Sequence, residues 1–159
     1  MCGIYCSNFL YPDNIIEKKM ASISFRGPDY TGIIKVNSII LGHNRLAIID
    51  LDKRSNQPFS YYHVKIVYNG EIYNYKELRS SLKKKGYTFN TESDTEVLAA
   101  LYIEYAEECL KFLNGMFAFT IYDEKNQTLF IARDRLGQKP LHYMINGENI
   151  EIASQIKQI

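Results

Sequence analysis

The chain opens Met1-Cys2-Gly3-Ile4, and if the initiator methionine is removed, one residue carries both a thiol and a free α-amine. The reference pKa of an α-amine, about 7.7–8.0, lies close to the thiol's, about 8.5. The amine can therefore take the thiol proton near neutral pH, with no separate histidine. Gly3 lacks a Cβ, so a substrate carbonyl is expected to reach the sulfur unobstructed. Small residues at position two also simply permit methionine removal. Cys2 alone therefore does not establish a nucleophile, and the rest of the chain must supply the groups such chemistry needs.

Three further stretches could do so. Arg45 precedes Leu46, Ala47, Ile48 and Ile49, so its guanidinium leaves an apolar, β-rich segment and needs an anion, either a protein carboxylate or a substrate carboxylate gripped bidentately. Asn69-Gly70-Glu71 follows a strand-like run. Asn-Gly reads first as a hairpin turn, yet no second strand follows directly, and an asparagine amide with a glycine N–H at a strand-to-loop junction can form an oxyanion hole. Asp94 opens a helix, where an acid is already favourable to the dipole. Arg26, in the turn Arg26-Gly27-Pro28-Asp29, reads as a structural ion pair in preference to a catalytic group.

Composition removes whole classes of function. Nineteen basic and eighteen acidic residues give a net charge of +1, too little to track nucleic acid. No apolar run approaches the length of a membrane span, and no signal peptide is indicated, so a cytoplasmic location is the expectation. Cys2, Cys6 and Cys109 form no CxxC pair, and His43, His63 and His142 are scattered, so neither a disulfide framework nor a metal site is expected. At 159 residues the chain is the size of one domain with its own core.

The elements that must position these groups follow from periodicity and turn chemistry. Residues 2–7 read as a buried strand and 15–23 as a helix capped by Asp13. Residues 33–36 and 39–43 form a hairpin about Asn37-Ser38, and 64–68 the next strand. Asn74 to Glu77 resembles a capping box, opening a helix that ends in Lys83-Lys84-Lys85 and Gly86. Ser93 caps a second helix with Val97, Leu98, Leu101 and Tyr105 on its buried face, and a third short helix spans 107–113. Strands then follow at 116–122, 128–132, 141–145 and 149–153. The near-continuous apolar run Met116-Phe117-Ala118-Phe119-Thr120-Ile121 predicts a strand covered on both faces. Two sheets with helices outside would satisfy this pattern.

Taken in order, Met1-Cys2-Gly3-Ile4, Arg26-Gly27-Pro28-Asp29, His43 to Asp50, Asn69 to Asn74, Ser93-Asp94-Thr95-Glu96, Leu113 to Ala118 and Arg133-Asp134-Arg135-Leu136-Gly137 resemble the class II glutamine amidotransferase domain. The Pro28 form of the Arg-Gly motif resembles the glutaminase half of asparagine synthetases in particular. The resemblance implies an α+β, N-terminal nucleophile hydrolase fold: an αββα four-layer sandwich with two mainly antiparallel sheets between helices. It implies that Cys2 attacks the side-chain amide of L-glutamine, that Asn69 and the Gly70 N–H hold the oxyanion, and that a thioester forms as ammonia leaves. It further implies that Arg45 binds the glutamine α-carboxylate and Asp94 the α-amine, with Glu71 and the backbone of Ile48 and Ile49 completing the pocket.

In the family an ATP-dependent synthetase domain follows, with a Ser-Gly-Gly-x-Asp-Ser loop for pyrophosphate. No such loop occurs in residues 1–159. The expectation is therefore a glutaminase domain truncated at its C-terminus, needing no cofactor itself, with ATP and magnesium in a synthetase domain joined in cis or trans. Homodimer formation stays open. Two other readings share the same residues: a glutaminase half feeding ammonia to another carboxylate such as a sugar acid, and a catalytically silent glutamine-binding regulatory domain.

Overall fold

In the computed structural model, which describes residues 1–159, two antiparallel sheets stack face to face. One runs β2 (Tyr30–Val36), β3 (Ile39–Arg45), β1 (Gly3–Ser7), β9 (Asn149–Ala153), β8 (His142–Asn146). The other runs β4 (Phe59–Tyr61), β5 (Val64–Ile72), β6 (Gly115–Asp123), β7 (Thr128–Arg133). Helix α1 (Asp13–Ala21) covers the outer face of the first sheet, and α2 (Tyr75–Lys84) and α3 (Asp94–Tyr105) cover the second. The layer order is αββα, as the family resemblance implied.

Side chains of period two build the three interior layers. On β6, Phe117, Phe119 and Ile121 pack under the helices, whereas Ala118 and Tyr122 face the opposite sheet. On β5, Ile66, Tyr68 and Ile72 take the helix side and Val67 the inter-sheet side. On β1, Tyr5 meets Ile16 and Met20 of α1, whereas Ile4 and Cys6 enter the space between the sheets. Cys2 shares the parity of Ile4 and Cys6, and Asn69 shares that of Val67. Both side chains are thus directed into the inter-sheet space.

Several local readings need correction. Asp13 is the first helical residue, with Pro12 before it and no side-chain cap; its carboxylate pairs instead with Lys35. The helix stops at Ala21, and Ile23 stays buried beside a 3₁₀ turn at Ser24–Arg26. Asn74 does not cap α2: its carboxamide bonds Phe112 O (2.9 Å) and Asn114 N (3.1 Å), tying the helix start to the approach to β6. Asn69-Gly70-Glu71 is no strand-to-loop junction, because β5 continues through it, opposite Ala118, Phe117 and Met116. Residues 106–111 form a 3₁₀ turn where a short helix was expected.

Ser93 does cap α3, accepting from Glu96 N at 3.3 Å. The Glu96 carboxylate, however, turns to the Asn90 and Thr91 amides and does not close a capping box. Nor is α3 amphipathic: Asp94 through Tyr102 are all buried, since α2, β4, β5 and the 3₁₀ turn surround it. Truncating a fully buried side chain there, Leu98→Ala, should cost about 2–5 kcal/mol of folding free energy by denaturant titration.

Gly3 has a packing role and not the one expected of it. A Cβ there would lie 2.3 Å from Ile23 Cδ1, so the space beside Gly3 belongs to a core side chain and not to a substrate.

Candidate active site

Three segments meet around residue 2. The Arg26 side chain is buried and its Nε donates to Cys2 O at 3.0 Å. It forms no ion pair, contrary to the sequence reading, and its Nη2 is buried without a partner. Gly27 lets this turn press on β3, for a Cβ there would lie 2.3 Å from Asn44 O. Asp29 then closes the junction from both groups, its N–H donating to Arg45 O (3.0 Å) and its carboxylate accepting from Ala47 N (2.8 Å). The Arg-Gly-Pro-Asp turn is therefore a clamp that holds the start of β1 against the end of β3.

Arg45, the last residue of β3, organises the segment that follows it. Its Nη1 donates to Asp52 O (3.0 Å) and Asn56 Oδ1 (2.7 Å), and its Nη2 to Asp50 O. The loop carrying Ile48 and Ile49 is wrapped around this guanidinium. All three acceptors are neutral, so a buried cation faces the cleft with no protein carboxylate against it.

On β5 the hydrogen-bond directions alternate with the side chains. Tyr68 N donates to Gln57 Oε1 (2.6 Å) and Ile72 N to Asp94 Oδ2 (3.0 Å), both away from β6. Phe117, the β6 residue opposite Gly70, uses its N–H and C=O on Asp134. Gly70 therefore points its N–H away from β6 as well, along the edge that β4 covers only from Val64 to Ile66. Beside it, the Asn69 side chain is buried and its Nδ2 has no hydrogen-bond partner. A buried, unpaired amide donor costs free energy, and here it lies next to a second free donor.

Asp94 is buried at the α3 N-terminus, its Oδ2 accepting from Tyr68 OH (2.7 Å) as well as from Ile72 N. Burial raises its carboxyl above the usual range, against the pull of those two donors. The Cys2 thiol is likewise pushed up by burial, partly offset by the Leu46 N–H (3.4 Å to Sγ), the Met1 ammonium and Arg45. The thiol is therefore held protonated and requires a base. His43 cannot serve: it is wholly buried, bonds Tyr68 O at 3.1 Å, and is driven by burial to a pKa of about 3.

One cleft is lined by Cys2, Arg45, Ile48, Ile49, Asn69, Gly70, Glu71 and Asp94, eight residues that the sequence reading had named. Ile48 is 70% exposed, at the rim, and Glu71 is half-buried. The structure adds Leu46, Tyr68, Gln57 and Lys139 to the lining. Strand parity could have found Tyr68, two residues from Gly70; Gln57 and Lys139 arrive by loops whose course no local pattern reveals.

The chain is 39% identical to the glutamine-hydrolysing asparagine synthetase 3 of Bacillus subtilis (strain 168), over 100% of its own length and 27% of that protein's. It is 44% identical to asparagine synthetase 1 of the same organism (92% and 23% covered), and 38% to asparagine synthetase B of Escherichia coli (100% and 30%). The chain thus spans less than a third of the length of these relatives. Its fold matches the glutamine phosphoribosylpyrophosphate amidotransferase of B. subtilis with a TM-score of 0.79 at 23% identity, covering 99% of this chain and 42% of that one. A structure described as the allosteric regulatory enzyme of purine biosynthesis matches with a TM-score of 0.83, at the same identity and coverage. The sequence model of the glutamine amidotransferase domain spans residues 1–159, and the chain belongs to that family.

Proposed function

We propose that this chain hydrolyses L-glutamine to L-glutamate and ammonia through a thioester on Cys2, with methionine removal freeing the amine that serves as base. The observation that carries this reading is the unpaired, buried Asn69 Nδ2, directed by strand parity into the same inter-sheet space as Cys2. The Cys2 amine takes the thiol proton as sulfur attacks the side-chain carbonyl carbon. Asn69 Nδ2 and the Gly70 N–H receive the developing oxyanion. The tetrahedral adduct collapses as the ammonium returns its proton to the departing nitrogen, releasing ammonia. Water, deprotonated by the same amine, then attacks the thioester, and glutamate leaves as the thiol is restored.

Recognition falls to the two buried charges of opposite sign. Arg45, ringed by neutral acceptors, supplies the cation for the α-carboxylate. Asp94 supplies the anion for the α-ammonium, with Glu71 and the Ile48-Ile49 backbone enclosing the amino acid. Asp94→Asn keeps an acceptor for Tyr68 and Ile72 but removes the charge. It should raise KM by about ten- to a hundred-fold while leaving kcat within a few-fold, the signature of lost binding. Steady-state glutaminase kinetics on protein shown to be folded check this, and an unchanged KM would refute the assignment.

In the whole protein, the ammonia is passed to an ATP-dependent synthetase domain that converts aspartate to asparagine. The names and greater length of the relatives support this, and ATP and magnesium are assigned to that domain, joined in cis or trans. Glutamate release from L-glutamine by protein beginning at Cys2 tests the glutaminase reading. Absence of release from folded, correctly processed protein would overturn it.

A further inference from the structure

Lys139 is a buried cation that the reaction scheme above does not use. Its side chain lines the cleft, and only 6% of the residue is exposed. Its backbone is held at both ends, by Lys139 N donating to Asp134 Oδ2 (3.2 Å) and Arg133 Nε donating to Lys139 O (2.6 Å). Asp134 anchors the whole loop, also accepting from the N–H groups of Phe117, Leu136 and Gln138. These bonds fix the Lys139 backbone at the wall of the cleft.

No carboxylate lies within ion-pair distance of this ammonium; its one hydrogen-bond partner is the thioether of Met1, at 3.5 Å from Nζ. A thioether is a weak, neutral acceptor, and an ammonium buried against it is poorly compensated. The contact also locates the charge. Met1 is joined to Cys2 by the peptide bond whose nitrogen becomes the terminal amine, so removal of Met1 deletes Lys139's partner and leaves the ammonium in the cleft that Cys2 also lines.

We infer that Lys139 is a positioning residue whose charge lowers the pH at which the Cys2 amine is free to take the thiol proton. The inference rests on the amine acting as base in the proposed thioester chemistry. A like charge disfavours the protonated amine, and an opposite charge favours the thiolate, so both effects act in the same direction. The other charged or titratable groups around Cys2 are Arg26 from the 3₁₀ turn, Arg45 from β3, Tyr68 and Glu71 from β5, and Asp94 from α3. Arg26 donates Nε to Cys2 O and keeps Nη2 unpaired, Arg45 is ringed by three acceptors, and Asp94 opposes the cationic field. Lys139 is the cation whose partner departs with the methionine.

The test is the pH dependence of Cys2 alkylation by iodoacetamide, located by mass spectrometry, in protein whose terminal residue is confirmed as Cys2. Cys6 and Cys109 are fully buried and give little background. Lys139→Met, neutral and similar in shape, should raise the alkylation midpoint by about one pH unit, a roughly ten-fold loss of reactivity below the midpoint. Lys139→Arg should keep the wild-type midpoint, and melting temperatures check that both variants are folded. An unshifted midpoint in Lys139→Met, or an equal shift in Lys139→Arg, would overturn the inference. The acid limb of glutaminase kcat/KM should move with the midpoint. If the midpoint shifts in a protein that releases no glutamate, the electrostatic role of Lys139 stands and the glutaminase reading falls. If glutamate is released and the midpoint stays fixed, the reverse holds.

Discussion

Cys2→Ala should lower glutaminase turnover by about 10⁵-fold or more, the usual scale for deleting a nucleophile whose partner groups act as a unit with it. The rest of the cleft survives this change. Arg45 keeps its ring of acceptors and Asp94 its bonds to Tyr68 and Ile72, so glutamine should still raise the variant's melting temperature. Cys6→Ala and Cys109→Ala provide the contrast. Both thiols are fully buried and raised by burial, Cys109 to about 12, one between the sheets and the other beneath α3. Substituting either should cost stability through lost packing and leave kcat nearly unchanged. Substantial turnover in Cys2→Ala would remove the nucleophile from the account.

Asn69→Ala should lower kcat by about 10²–10³, or about 2.7–4 kcal/mol of transition-state stabilisation, with KM little altered. The structure adds a second readout to this prediction. Asn69 Nδ2 is buried without a partner, so it weakens the folded state, and removing an unsatisfied donor does not incur the penalty of breaking a hydrogen bond. The melting temperature should therefore hold or rise while turnover collapses. A residue kept for packing would behave in the opposite way, losing stability first. A variant with unchanged kcat and raised KM would place Asn69 in ground-state binding instead.

The layered fold was legible because the near-continuous apolar run of β6 asks for cover on both faces and the hairpin turn at Asn37-Ser38 carries its own chemistry. Asn37 takes the left-handed backbone, φ 52°, that such a turn asks for. What local pattern misjudged was decided by neighbours distant in sequence. Asn69-Gly70 has the composition of a turn, yet nine residues of β6 pair with β5 from Val64 to Ile72 and hold it extended. Asn74 has the composition of a cap, yet its amide is taken by Phe112 and Asn114. Arg26 reads as half of an ion pair, yet its guanidinium donates to the carbonyl of Cys2.

The residues that the family resemblance names on strands and helix starts line one cleft. Lys139 lines the same cleft without any local signal, because nothing near Gly137-Gln138-Lys139-Pro140 shows that four backbone amides converge on Asp134 and fold this loop toward residue 1. Asp134 also links this loop to pH. Burial alone would raise its carboxyl, but those amides hold it below the usual range. A carboxylate lowered in the folded state adds stability above its unfolded pKa, and that stability is lost as pH falls through the folded value. Asp134→Asn should therefore lower the melting temperature at neutral pH and narrow the gap from wild type in acid. A gap independent of pH would show that the carboxylate's charge is not what the loop needs.

The thioester itself offers the most direct measurement. Protein turning over L-glutamine should be quenched in acid and its intact mass and N-terminal peptide determined. The account predicts an N-terminal Cys2 without Met1, carrying an adduct of glutamine less ammonia that disappears on treatment with hydroxylamine. Turnover by protein that retains Met1, or an adduct on any residue other than Cys2, would contradict it.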